Sequence, residues 1–157
     1  LKPFQIGIVW GVYVTLIPVL LVNLKGNTFQ WYSVGVMTLL MKNVFFCTLN
    51  AMLFDVKDYQ DDQSEGLNTF AVKLGIQPLT QLIIPILVLI GSLFFAYWEH
   101  VISYPFLGFV MWVTPFLLLI SISLLTTCQR SLWYYLFVVD GVLIIKALSG
   151  ILVSCSQ

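Results

Sequence analysis

Five apolar stretches, each close to the length that carries a helix across a bilayer, limit this chain more than anything else in its sequence. The hydrocarbon core takes about 20 residues of helix. Between Lys2 and Lys25 no residue is charged. A second stretch runs from about Phe29 to Phe54 and is interrupted only by Lys42. The third lies between Lys73 and Glu99 and the fourth between His100 and Arg130; the fifth, from about Leu132 to Val153, carries Asp140 and Lys146. In lipid every backbone N–H and C=O must be satisfied internally, so such runs are helices. Pro18, Pro85 and Pro115 fall inside three of them and are expected to kink rather than end them, because neighbouring helices re-satisfy the freed carbonyl. The expected fold is all-α, a multi-pass transmembrane bundle of five helices. No repeat, low-complexity tract or linker divides residues 1–157, which read as a single membrane domain.

Alternate passage puts the N-terminus, the loop of residues 55–73 and the loop at Arg130 on one side. That side collects Lys2, Lys57, Lys73 and Arg130 against Lys25 alone, so the positive-inside rule makes it cytoplasmic. Trp31, Tyr32, Tyr97, Trp98, Trp133, Tyr134 and Tyr135 fall near span ends, where an interfacial aromatic belt belongs. Seven Lys and Arg balance seven Asp and Glu, which leaves no basic field to hold nucleic acid. Cys47, Cys128 and Cys155 stand far apart, without a C-x-x-C or a paired His, and read as reduced thiols rather than disulfide or zinc ligands. The chain opens on Leu1 and Lys2 with no cleavable leader pattern, as expected of an internal piece or a trimmed N-terminus.

Only 9% of the residues are charged, yet five of the seven acids (Asp55, Asp58, Asp61, Asp62 and Glu65) fall within eleven consecutive positions. If the second helix continues past the membrane surface, all five project within an arc of roughly 120°, and Gly66 follows as a natural stop. Like charges at three- and four-residue spacing destabilise a helix unless something positive sits among them. Oxygen ligands without His or Cys suit magnesium, manganese or calcium. An EF-hand is excluded because Lys57 occupies the third loop position and no Gly stands at the sixth. Magnesium takes one or two protein carboxylates plus waters and substrate phosphate oxygens, so a carboxylate face at a membrane surface points to a diphosphate. A solvated loop whose acids do nothing is the alternative. Asn43, Cys47, Asn50 and Phe54 project onto the same arc, extending a polar stripe into the membrane, where such stripes face a bundle interior or a cavity.

The stretch from Asp55 to Gly75, with Asp58, Asp62, Gly66, Thr69 and the closing Leu74-Gly75, resembles the second aspartate-rich motif of the UbiA family of membrane prenyltransferases. That motif is written D-x-x-D-x-x-x-D, then Gly, a Thr or Ser three residues later, and Leu-Gly. The Asp61-Asp62 pair and the Thr69-x-Ala71-Val72 ending make the menaquinone-type branch the nearest. The resemblance implies a nine-helix fold of which this chain supplies the last five helices, in a bacterial inner membrane. A first motif, N-D-x-x-D-x-x-x-D, would lie upstream of Leu1, where about four more helices are expected.

The same resemblance implies transfer of a polyprenyl group from its diphosphate to an aromatic or other lipophilic acceptor, as in quinone or haem biosynthesis, with Mg2+ as cofactor. Asp58 and Asp62 match the core pair and would be the catalytic metal ligands. Asp55 matches the upstream aspartate as a ligand or in a supporting role, and Asp61 is a further candidate ligand. Asn50 and Lys42 join as substrate-binding candidates from their position on the helix leading into the motif. Lys42 could instead pair with Asp140 inside the bundle. Lys73 resembles a basic loop residue of the family, or is a solvated topology charge. Asp140 and Lys146 do not share a helical face, so each is expected to find a partner on another helix. His100, the lone histidine, reads as an interface residue, and Gly7 and Gly11 form a G-x-x-x-G that marks close helix packing. A non-catalytic transporter or channel subunit with a cation-binding cytoplasmic loop is the alternative from another class. This piece acting alone, without the first motif, is expected to be inactive.

Overall fold

The computed structural model describes residues 2–24, 33–100 and 105–156. Lys25, Phe29, Trp31 and Tyr32 lie outside the described residues, as does the side chain of Cys155. Among the described residues every regular element is helical, and five helices are long and apolar enough to cross a membrane: α1 (Lys2–Leu24), α2 (Val34–Lys57), α5 (Ile76–Trp98), α6 (Phe106–Leu125) and α7 (Leu132–Leu152). Two short helices, α3 (Tyr59–Ser64) and α4 (Phe70–Leu74), stand between α2 and α5. The chain is an all-α, multi-pass membrane protein with five spans among the described residues. The expected spans are all present, with α2 running on to Lys57 and α5 beginning only at Ile76. They are apolar nearly all round, and outward residues such as Leu89, Leu93, Leu117 and Leu148 are exposed, as lipid-facing positions are.

The chain divides into two compact units, Leu1–Ala51 and Met52–Gln157, with the boundary inside α2. In the first unit the G-x-x-x-G does what small residues do between membrane helices. A Cβ at Gly7 would stand 2.8 Å from the Thr48 Cα, and one at Gly11 2.7 Å from the Val44 Cα, so α1 and α2 approach to a distance only glycine allows. Close by in sequence, the buried Asn43 side chain donates to Thr15 Oγ1 at 2.9 Å.

In the second unit α6 packs on both α5 and α7, and Val88, Phe95, Trp112, Phe116, Leu119 and Val142 are among its buried residues. Pro18 and Pro115 lie within α1 and α6 without ending them. Pro85 sits in the first turn of the segment Ile84–Trp98, directly after a wide π turn at Leu79–Ile83. Such a turn respaces the hydrogen bonds where proline has no N–H to give. A second π turn, Tyr135–Val139, closes with the Asp140 amide donating to the Tyr135 carbonyl at 3.0 Å.

At the end of α5 the Trp112 indole donates to Glu99 at 2.7 Å, beside His100, whose φ is 50°. Tyr97, Trp98 and Trp133 are exposed at span ends, as a belt requires. Tyr135 departs from that expectation. It is fully buried, with its ring 5.7 Å from Phe54 and 5.5 Å from Tyr134, and belongs to the core.

Candidate functional site

The helix carrying the acids is broken where an unbroken one was expected. α2 stops at Lys57, Asp58 takes φ −90° and ψ 7°, and α3 resumes at Tyr59. Asp58 still donates to Phe54 at 3.3 Å and accepts from Asp62 at 2.8 Å, so the helical phase is nearly kept across the break. The carbonyl at the break is met from far away in sequence. The side-chain amide of Gln129, in the loop joining α6 to α7, donates to the Lys57 carbonyl at the very end of α2. That bond also puts the acidic loop and the α6–α7 loop on one side, as alternate passage of the spans demands.

Burial sorts the five acids by angle. Asp55 and Asp62, seven residues and nearly two full turns apart, are 2% and 4% exposed. Asp58, between them at three- and four-residue spacing, has a third of its side chain exposed and pairs with Lys57 at 3.0 Å. Asp61 and Glu65, rotated further round, are exposed. Lys57 thus places a positive charge among the acids, and Asp55, Asp58 and Asp62 form the inward stripe. Asp61, a candidate ligand by sequence, faces outward; its carbonyl accepts from the Ser64 hydroxyl at 2.9 Å.

The turn after α3 is built by its glycine. Gly66 has φ 69°, its amide reaches Gln63 at 3.2 Å, and the Leu67 amide reaches the Asp62 carbonyl at 2.8 Å. These are the two bonds of a Schellman stop, so the backbone of Asp62 anchors the turn. Thr69 then begins α4 and is 7% exposed; its carbonyl accepts from Lys73 at 3.0 Å, but its hydroxyl caps nothing. Lys73 is exposed in the last turn of α4, where a cation suits the helix end. Gly75, at φ 85° and ψ 154°, hands the chain to α5 in a conformation open essentially to glycine alone.

Asn50 and Lys42 belong to the first unit. Asn50 is 4% exposed, with its carbonyl oxygen unpartnered among the described residues. Lys42 is half-buried one position before Asn43. Sequence inspection alone did not bring Gln129 to notice, and nothing local marks it, since its partner lies 72 residues away.

The donor set suits a hard divalent cation. One carboxylate oxygen of the buried Asp62 has no hydrogen-bond partner among the described residues, a state that a carboxylate tolerates poorly unless something positive completes it. No three His, Cys, Asp or Glu side chains converge as a ready cage among the described residues. Magnesium does not need one, as it keeps its waters and takes one or two carboxylates. Compared with known proteins, the chain matches no family model, no curated protein and no solved structure.

Proposed function

We propose that this chain is the C-terminal part of an intramembrane prenyltransferase of the UbiA type. In this role its acidic loop holds magnesium against the diphosphate of a polyprenyl substrate on the cytoplasmic side of a bacterial inner membrane. The observation that carries the proposal is the inward stripe of Asp55, Asp58 and Asp62, ending at a buried carboxylate oxygen without a partner among the described residues. The aspartate spacing resembles the family motif, and the five apolar spans suit a lipid substrate.

Asp62 and Asp58 would hold the cation, with Asp55 behind them. When bound, magnesium would neutralise the diphosphate as it leaves the allylic carbon. Lys57 sits on Asp58 at 3.0 Å and would share that carboxylate with a bound cation. Lys73, exposed on α4, is free to meet the outer phosphate as a point charge.

The test is transfer of a labelled prenyl group to naphthoate, benzoate or haem-type acceptors by the product of the complete reading frame, with magnesium or with chelator. Magnesium-dependent transfer, lost in both Asp58→Asn and Asp62→Asn, is the expected result. Transfer that survives both substitutions, or cation flux in proteoliposomes with no diphosphate requirement, would overturn the proposal.

A further inference from the structure

Thr69 presents a second unpartnered oxygen in the loop that holds Asp62. Its Oγ1 is enclosed without a hydrogen-bond partner among the described residues, like the Asp62 Oδ2, and both residues are more than nine-tenths buried. They flank the same turn. The chain stops at Gly66, the Leu67 amide ties back to the Asp62 carbonyl, and α3 packs on α4, of which Thr69 is the first-turn boundary. A threonine in that place ordinarily turns its hydroxyl onto the free amides of the helix it opens. Here that cap is forgone.

Leaving one buried hydroxyl or carboxylate oxygen without a partner costs on the order of 1–3 kcal/mol. Two on contacting short helices, either side of the Gly66 turn, call for something that satisfies both. A carboxylate oxygen only accepts, whereas a hydroxyl can offer its lone pairs. An anion would meet Thr69 but repel Asp62. A cation meets both as oxygen donors, and a serine or threonine hydroxyl beside an acid is a recurrent magnesium ligand pair at phosphate sites.

We infer that Thr69 completes the divalent-cation site of the acidic loop, its hydroxyl oxygen binding the ion directly or through one of its waters beside Asp62. This deepens the prenyltransferase proposal and rests on it for the diphosphate, but not for the cation.

Manganese(II), added as a stand-in for magnesium to the whole chain in detergent, reports the site through the loss of the free-ion electron paramagnetic resonance signal. Thr69→Val, which keeps shape and removes the hydroxyl, should weaken manganese binding about tenfold, the scale of a lost supporting ligand. Thr69→Ser should stay within about twofold of the parent and Asp62→Asn should bind more weakly still. Without metal, Thr69→Val should melt at the parent temperature or above, because an unsatisfied polar group is gone. A hydroxyl with a purely structural role would lower that temperature and leave manganese affinity alone. Parent-like affinity in Thr69→Val, with binding lost in Asp62→Asn, overturns the assignment of Thr69 and leaves the prenyltransferase proposal standing. No manganese binding by the parent chain overturns the assignment as well. Binding that follows the expected order, in a complete protein that transfers no prenyl group, keeps the site and removes the function.

Discussion

At the scale of single residues the acidic loop depends on backbone conformations that side chains disfavour and on one close ion pair. Gly66, at φ 69°, has open space where a Cβ would go, so Gly66→Ala tests conformation alone. It should cost about 1–2 kcal/mol, read as an earlier midpoint on unfolding in a denaturing detergent; an unchanged midpoint would show that the Schellman stop contributes nothing. Lys57 competes with any cation for Asp58. Both partners are about a third exposed and such pairs contribute about 0.2–1 kcal/mol, so Lys57→Met should tighten manganese binding by up to about fivefold. Unaltered or weaker binding would mean that the ion must use Asp62 without Asp58. The spacing in the sequence disclosed that several acids share a face. It did not disclose the split of that face into buried Asp55 and Asp62 and exposed Asp61 and Glu65. A five-acid arc always has two rims, and what covers one rim is settled by packing, which periodicity does not record.

Elements show a similar division between what pattern encodes and what contact decides. The five spans were readable because lipid demands long apolar helices, and Gly7 and Gly11 marked close packing of α1 without naming α2 as its partner. Gly11→Leu should force the two backbones apart, since even a Cβ would meet the Val44 backbone at 2.7 Å. Overpacking of this kind costs about 1–3 kcal/mol. The loss should appear as faster proteolysis of the first unit; wild-type resistance would argue that the helices reseat without strain. The two π turns left no trace in the hydrophobic pattern, because one extra residue in a turn shifts phase without changing composition. Tyr135 illustrates the consequence. Its position near a span end suggests an interfacial ring, but it opens a π turn and is enclosed beside Phe54.

For the whole molecule, topology is the property to test. Ser64 in the acidic loop and Cys128 in the α6–α7 loop are exposed, and the Gln129 bond holds those loops on a common side. An impermeant thiol reagent should therefore label Cys128 and Ser64→Cys from the same face of a sealed vesicle, and His100→Cys from the opposite face. Labelling of Ser64→Cys and Cys128 from opposite faces would overturn the five-pass arrangement. The Gln129 bond also bears on how the protein is made. The acidic loop is synthesised directly after α2, but the amide that meets the Lys57 carbonyl belongs to a segment made 72 residues later. The Gln129–Lys57 bond can therefore form only after α5 and α6 have been synthesised. A nascent chain halted before Gln129 carries all five clustered acids and still lacks the tie to the carbonyl at the end of α2.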